Sequence, residues 1–427
     1  MSTQISSNTQ AILLLTAPLI AGKKEESAPL LKPAEYNGLA RLLVTKGKQP
    51  FDLLAANATD LIAHCEANFG QDRIKSLLGR GFLLSQAVDR WHSRGIWVIS
   101  RADAAYPKRL RAKLRENAPS ILYGCGEQSL LELGGLAVVG SRNIDETLLK
   151  YTMNVGALAA ASNRPIISGA ARGIDSSAMA GALEHGGVVI GVMADSLERA
   201  ALAKGNREAL REGRLVLISS YDPSAGFNVG HAMQRNKSIY ALADVGLVVT
   251  SDFEKGGTWA GAIEQLEKLH YVPVFVRNGA DVGRGNAALI QHGGRAWPEP
   301  ISPQELSAAI ADVMRDELKQ DSQDQLGLRV CEDTPVHSRV TESAKAEKPL
   351  IEPVSLASPA ARLMDTVVAI LGEVLSEAKS VDEVAEILNI SKIQTQAWLG
   401  ELVKLELIEK LSKPVRFQLV RNSDRLL

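Results

Sequence analysis

The sequence predicts an α/β fold: a doubly wound, Rossmann-like parallel sheet with an N-terminal helical domain and a C-terminal winged helix. Three observations carry this reading. From Leu136 onward, short aliphatic and β-branched runs alternate with Ala-rich amphipathic stretches long enough to be crossover helices. The runs are almost continuously apolar, as strands of a parallel sheet covered on both faces must be. Three of them lead into glycine-bearing loops that open helix-like stretches. Leu136-Ala137-Val138-Val139 leads into Gly140-Ser141-Arg142-Asn143, and Pro165-Ile166-Ile167 into Ser168-Gly169-Ala170-Ala171-Arg172-Gly173. Val245-Gly246-Leu247-Val248-Val249 leads, through Lys255, into Gly256-Gly257-Thr258.

Taken in order, residues 1–95 read as a helical domain, with helical apolar spacing over 36–44 and 56–67. The apolar run 11–20 has no basic residue before it and falls short of the roughly 20 residues a bilayer span needs. A buried helix is expected there, in a protein that makes no use of a membrane. Residues 96–318 form the Rossmann-like domain. A short strand at 96–99 and a segment punctuated by Tyr106-Pro107 and Ala118-Pro119 precede candidate strands at 136–140, 165–168, 188–192, 214–219, 245–250 and 271–276. Ser302-Pro303-Gln304-Glu305 is a capping box with proline at the first helical position, so a closing helix starts there. Residues 319–358 are rich in Asp, Glu, Lys, Ser, Gln and Pro and read as a flexible linker. Residues 359–427 read as a winged helix-turn-helix. One helix lies near Val367 to Leu371, and a second starts at the capping box Ser380-Val381-Asp382-Glu383. A third starts at Ser391, and strands at 407–410 and 415–419 follow.

Composition narrows the function. With 427 residues, two or three domains are expected. A net charge of −1 excludes a globally basic nucleic-acid binder but leaves room for a local basic patch. Aromatic residues make up 4%, too few for a binding surface built mainly from stacking rings. Cys65, Cys125 and Cys331 are scattered and the histidines dispersed, so neither a disulfide framework nor a metal site is expected, and a reducing cytoplasm fits.

The loops carry the chemistry. Free N–H groups at helix N-termini bind anions, and glycine lets a phosphate approach the backbone. Ligands of such sheets bind beyond the carboxyl ends of the strands. A dinucleotide site would need G-x-G-x-x-G after the first strand, and a P-loop would need G-x-x-x-x-G-K-[ST]. Neither occurs, so no cofactor is expected. The candidate phosphate-binding residues are Gly140, Ser141 and Arg142, then Ser168, Gly169, Arg172 and Gly173. Arg235, Asn236 and Lys237 follow in the helical stretch before the fifth strand, and Lys255, Gly256, Gly257 and Thr258 after it. Arginine's planar fork suits phosphate oxygens. The plainer alternatives are internal ion pairs for Arg142 and Arg172 and a solvated helix face for Arg235 and Lys237. Asp175 reads as a helix cap, Glu264 as a solvent-facing carboxylate, and Trp259 as either an anchor or a base-stacking ring. Four to five cationic contacts would give a salt slope near −3, at about −0.7 per phosphate on single strands.

In order along the chain, Val138-Val139-Gly140-Ser141-Arg142, Ser168-Gly169-Ala170-Ala171-Arg172-Gly173-Ile174-Asp175, Gln234-Arg235-Asn236 and Gly285-Asn286-Ala287-Ala288-Leu289-Ile290 with Gly293-Gly294 resemble the DNA-processing protein A (DprA/Smf) family. The resemblance implies a Rossmann-like domain that binds single-stranded DNA, protects incoming DNA and helps load a RecA-type recombinase, commonly as a homodimer, with no catalytic residues. Carried over by position, its site falls on Ser141, Arg142, Ser168, Gly169, Arg172, Arg235, Asn236 and Lys237. The chain departs from the family pattern at Met179, at 194–198 and at 255–260. Similar proteins also occur as the antitoxin half of phage-defence pairs, which makes a cognate toxin the alternative partner. The stretch from Gly256 to Glu264 also looks like part of the phosphoribohydrolase motif, which leaves a nucleotide-cleaving enzyme as a third reading.

Overall fold

The computed structural model describes residues 5–19, 28–65, 69–279 and 282–330, together with 375, 377–388, 395, 399, 402–403, 408–412 and 415–419. By packing the chain divides into two units, Met1–Thr334 and Pro335–Leu427.

In the first unit nine strands form one sheet in the order β1-β2-β6-β5-β4-β3-β7-β8-β9. They are β1 Trp97–Ser100, β2 Ile121–Gly126, β3 Leu136–Gly140, β4 Ile166–Ser168, β5 Val189–Met193, β6 Leu215–Ser219, β7 Val245–Thr250, β8 Val274–Val276 and β9 Arg295–Ala296. β6 through β9 pair in parallel, while β2 runs antiparallel to both β1 and β6. All six strands expected from Leu136 onward are present. The two-residue β9 has no apolar run of its own and is not legible as a strand.

Both sheet faces are buried, and β3 shows how. Leu136 and Val138 point into one apolar core, Ala137 and Val139 into the other, as the two-residue period of a strand requires. Helices Glu146–Ala161 and Ile174–Glu184 cover the first face. Helices Lys108–Leu114, Val229–Leu242 and Gly256–Glu264 cover the second.

The expected boundary at residue 95 is not a break in packing. The helix Ser7–Thr16 buries Ala11 to Leu15, and residues from Ile5 to Trp91 share the first-face core with Leu136 and Val138. Polar contacts reinforce the join. Thr9 Oγ1 donates to Asp103 Oδ2 (2.5 Å), which also accepts the N–H of Ser100 at the end of β1 (2.7 Å). The buried Arg80 donates to the carbonyls of Leu13, Leu14 and Ala17 at the end of that first helix. A cation there satisfies carbonyls the helix leaves open and suits its dipole. A second boundary also moves: the closing helix runs Pro303–Val330, past the expected start of the linker at 319. The remainder of that linker, from residue 331, lies outside the described residues.

In the second unit, Ser380 and Glu383 form the expected capping box at helix Val381–Leu388: Ser380 N–H donates to Glu383 Oε2 (2.7 Å) and Glu383 N–H to Ser380 Oγ (3.3 Å). β10 Ile408–Ser412 and β11 Val415–Leu419 pair antiparallel where two strands were expected. The expected helix near 367–371 lies outside the described residues, as does most of the one starting at Ser391.

Among the N-terminal helices, Glu35 accepts hydrogen bonds from Arg73 Nη1 (2.8 Å) and Nη2 (3.1 Å) and from the Lys32 N–H (2.7 Å). Arg73, then the Lys32 amide, hold its carboxyl down at about 2. A carboxylate with a depressed folded pKa stabilises the fold above its ordinary value of 4.5, and the effect is lost as pH falls through about 2. Glu35→Gln should therefore be less stable than the parent in urea at neutral pH, with the gap closing as the medium is acidified below 4.5. A gap that stays constant with pH would rule out this origin.

Candidate nucleic-acid interface

The strand order reverses at β3, which has β4 on one side and β7 on the other. The loops leaving the carboxyl ends of β3 and β7 therefore part in opposite directions and leave a crevice, the usual ligand position of such sheets. A cleft of about 530 Å³ lies there. Its walls are the loop after β3 from Gly140 to Asn143, the start of helix Val229–Leu242 with the preceding Phe227, and the loop after β7 from Ser251 to Thr258.

Each wall is built by local sequence. At the end of β3 the register against β7 slips between Val139 and Gly140, so the strand kinks as it enters the cleft. A Cβ on Gly140 would lie 2.5 Å from Ile174 Cγ1, so only glycine lets the next helix pack this close. The loop after β7 is clamped from below by Asn286, which is fully buried. Asn286 Oδ1 accepts the Ser251 N–H (2.9 Å), and its Nδ2 donates to the carbonyls of Val249 (3.0 Å) and Arg277 (2.8 Å). The clamp hands the chain to helix Gly256–Glu264, whose first turn faces the cleft with no side-chain cap from Lys255. Uncapped N–H groups at a helix start are anion donors.

The expected residues fall into two sets. Gly140, Ser141, Arg142, Arg235, Asn236, Lys255, Gly256, Gly257 and Thr258 all line the cleft. Ser168, Gly169, Arg172, Gly173 and Lys237 do not. Of the cations, Arg142, Arg172 and Lys255 are exposed, and none has an acidic partner among the described residues. The Arg142 guanidinium sits 5.1 Å above the ring of Phe227, which is 57% exposed. Arg172 does not line the cleft; its neighbour Gly173 (φ 82°) packs against the backbone of Ser141 and Arg142.

The other polar groups are engaged inside the protein. Arg235, expected on a solvated or ligand-facing helix surface, is buried, and its Nη1 lies 3.4 Å from Asp175 Oδ2. Its Nε has no hydrogen-bond partner among the described residues. Asp175, expected as a helix cap, is itself buried; Gly173 holds the cap position instead. Burial pushes the Asp175 carboxyl up, against Arg235 and the loop amides of Ala171 and Gly169, which favour its charge. Gly169 is glycine because a Cβ would overlap the Arg235 guanidinium. Lys237 pairs with Glu264 (2.9 Å), so the carboxylate that suggested nucleotide cleavage is held by a lysine and does not line the cleft. Ser168 Oγ donates to the Val138 carbonyl (2.6 Å) and Thr258 Oγ1 to the Gly140 carbonyl (2.9 Å). Asn236 Nδ2 donates to the Gly257 carbonyl (3.2 Å).

Sequence reasoning did not place Met233, Tyr240 or Asp252 in the cleft wall. Met233 and Tyr240 lie three or four residues either side of Asn236, so helical spacing from that residue was the available signal.

Truncating one partner of a buried ion pair leaves the other charge uncompensated. Asp175→Ala should cost about 3–5 kcal/mol in chemical denaturation. Asp175→Ala combined with Arg235→Met should recover most of that loss. A single variant as stable as the parent would show that the pair does not hold the loop.

Residues 97–304 match the family described as DNA recombination-mediator protein A. The DNA processing protein DprA of Bacillus subtilis (strain 168) is 26% identical over 221 residues, 50% of this chain and 72% of the relative. Protein Smf of Synechocystis sp. is 23% identical over 402 residues, 90% of this chain and 97% of the relative. The crystal structure of DprA from Streptococcus pneumoniae aligns with a TM-score of 0.44 at 23% identity, covering 65% of this chain and 95% of that one. Through residues 97–304, the chain matches the DNA recombination-mediator protein A family, and over longer stretches it is similar to DprA and Smf proteins.

Proposed function

We propose that this chain is a DNA-processing protein that binds single-stranded DNA at the β3/β7 cleft, with phosphates held by Arg142, Arg172, Lys255 and the first turn of helix Gly256–Glu264. The observation that carries the reading is the sorting of charge. Of the expected site cations, Arg142 and Lys255 line the cleft beside the uncapped helix start with no acidic partner among the described residues, whereas Arg235 is buried against Asp175 and Lys237 pairs with Glu264. The DprA and Smf names of the relatives support the same class of activity.

A single strand suits the site better than a duplex. The cleft is partly apolar, with Phe227, Met233 and Tyr240 in its wall. An unpaired base can leave its neighbours and enter such a recess, whereas a duplex keeps its bases stacked inside. Phe227 under Arg142 offers a stacking plane of the kind single-strand binders use. Handing the strand to a RecA-type recombinase, or shielding it, is the biological step this binding serves. No feature of the described residues favours the antitoxin reading over this one.

The site predicts its own salt dependence. Three cations at about −0.7 each give a slope near −2, shallower than the −3 expected when Arg235 and Lys237 are counted too. Affinity for a labelled oligothymidylate should therefore fall roughly 15- to 20-fold over a fourfold rise in salt. Arg142→Ala or Arg172→Ala should each weaken binding by about 1.5–3 kcal/mol without changing the unfolding midpoint. Anisotropy titrations of the strand and its duplex measure all of this. Wild-type affinity in both variants, or equal affinity for the duplex, would sink the assignment.

A further inference from the structure

Beyond the cleft, the chain carries an aromatic row that the phosphate site does not use. Phe253 and Trp259 bracket the Lys255–Thr258 wall on either side in sequence. Their rings meet edge to face with centroids 5.2 Å apart. The exposed Arg284 guanidinium lies 4.5 Å from the Phe253 ring centroid. On the far side, Trp259 meets the exposed His292 ring at 6.1 Å.

Three features separate this row from ordinary core packing. Phe253 belongs to neither apolar core, although Trp259 leans on one of them. Arg284 has no acidic partner among the described residues and lies over the Phe253 ring, which leaves the other ring face for a base. The row also starts where the cleft ends, because Lys255 and Thr258 line the cleft and their near neighbours form the row. In a chain with 4% aromatic residues, a partly exposed pair of rings at this place is not a matter of abundance.

We propose that Phe253 and Trp259, with Arg284, form a second subsite that takes unpaired bases of the strand as it leaves the cleft over helix Gly256–Glu264. Bases stack on the exposed ring surface, and Arg284 meets the adjoining phosphate. The inference rests on the single-strand reading above and lengthens its footprint past the phosphate loops. Every base presents a π face, so this subsite tolerates any sequence.

The test compares two oligonucleotides of equal length, one of thymidines and one with abasic sites, on the full chain. The abasic strand keeps the phosphates and removes the stacking partners. Phe253→Ala, which removes a ring outside the cores, should weaken binding of the thymidine strand by roughly 5- to 100-fold, the usual worth of one base–aromatic stack. It should leave the abasic strand unchanged. Trp259→Ala should act the same way, and the abasic strand reports any loss of fold. Arg142→Ala should weaken both strands. If Phe253→Ala weakens neither strand, or both equally, the subsite is overturned while the cleft stands. If Arg142→Ala weakens neither, the single-strand reading falls and this subsite with it.

Discussion

The buried ion pair between Asp175 and Arg235 is the contact on which the site depends. Asp175 enters from the helix after β4 and Arg235 from the helix before β7, so one interaction ties together the two sides of the crevice. Two charges leave water to make it, a cost that mutual attraction offsets only with help. The amides of Gly169 and Ala171 supply that help by favouring the charged carboxylate. Gly169 can have no side chain because the guanidinium occupies its space. The second glycine loop is thus largely built around a protein carboxylate instead of a ligand phosphate.

That single use of charge decides how the rest of the cleft is divided. With Asp175 occupying the amides after β4, anion donors remain at the uncapped turn after β7 and at the arginines and lysine on the rim. Burial, and to a lesser degree the nearby Arg142, disfavour the charge on Arg235, and Asp175 favours it. The buried pair joins the helices beside the cleft, and the exposed Arg142 and Lys255 stand at its wall. Asn286 plays the matching part on the other side, as a neutral side chain that satisfies three backbone groups of two strands and their loops.

The packing of residues 1–95 against the sheet has a similar origin. The antiparallel β1 and β2 extend the sheet beyond β6, and their first-face residues Ile96, Val98, Ile121 and Tyr123 need cover. The helix Ser7–Thr16, apolar on nearly every side, needs the same. Each meets the other's need, and Arg80 and Asp103 close the polar ends of the join. A helical segment that reads as a separate domain is therefore part of one folded body with the sheet.

The strand positions, the double burial of the sheet, the capping boxes and the three glycine loops were legible in the chain itself, because each follows from the spacing of neighbouring residues. The sequence also pointed to the loops of the cleft: nine of the fourteen residues expected at the site line it. What it left open was which cations are free. Arg142 and Arg235 have the same side chain, yet one stands over an exposed ring and the other is buried against Asp175, sixty residues away in sequence. Lys237 and Glu264 meet across two helices in the same way. Periodicity reports which face of an element is apolar, but not which polar group another element will bring to it. That pairing is decided by sheet order, here by the reversal at β3, and exists only in the folded molecule.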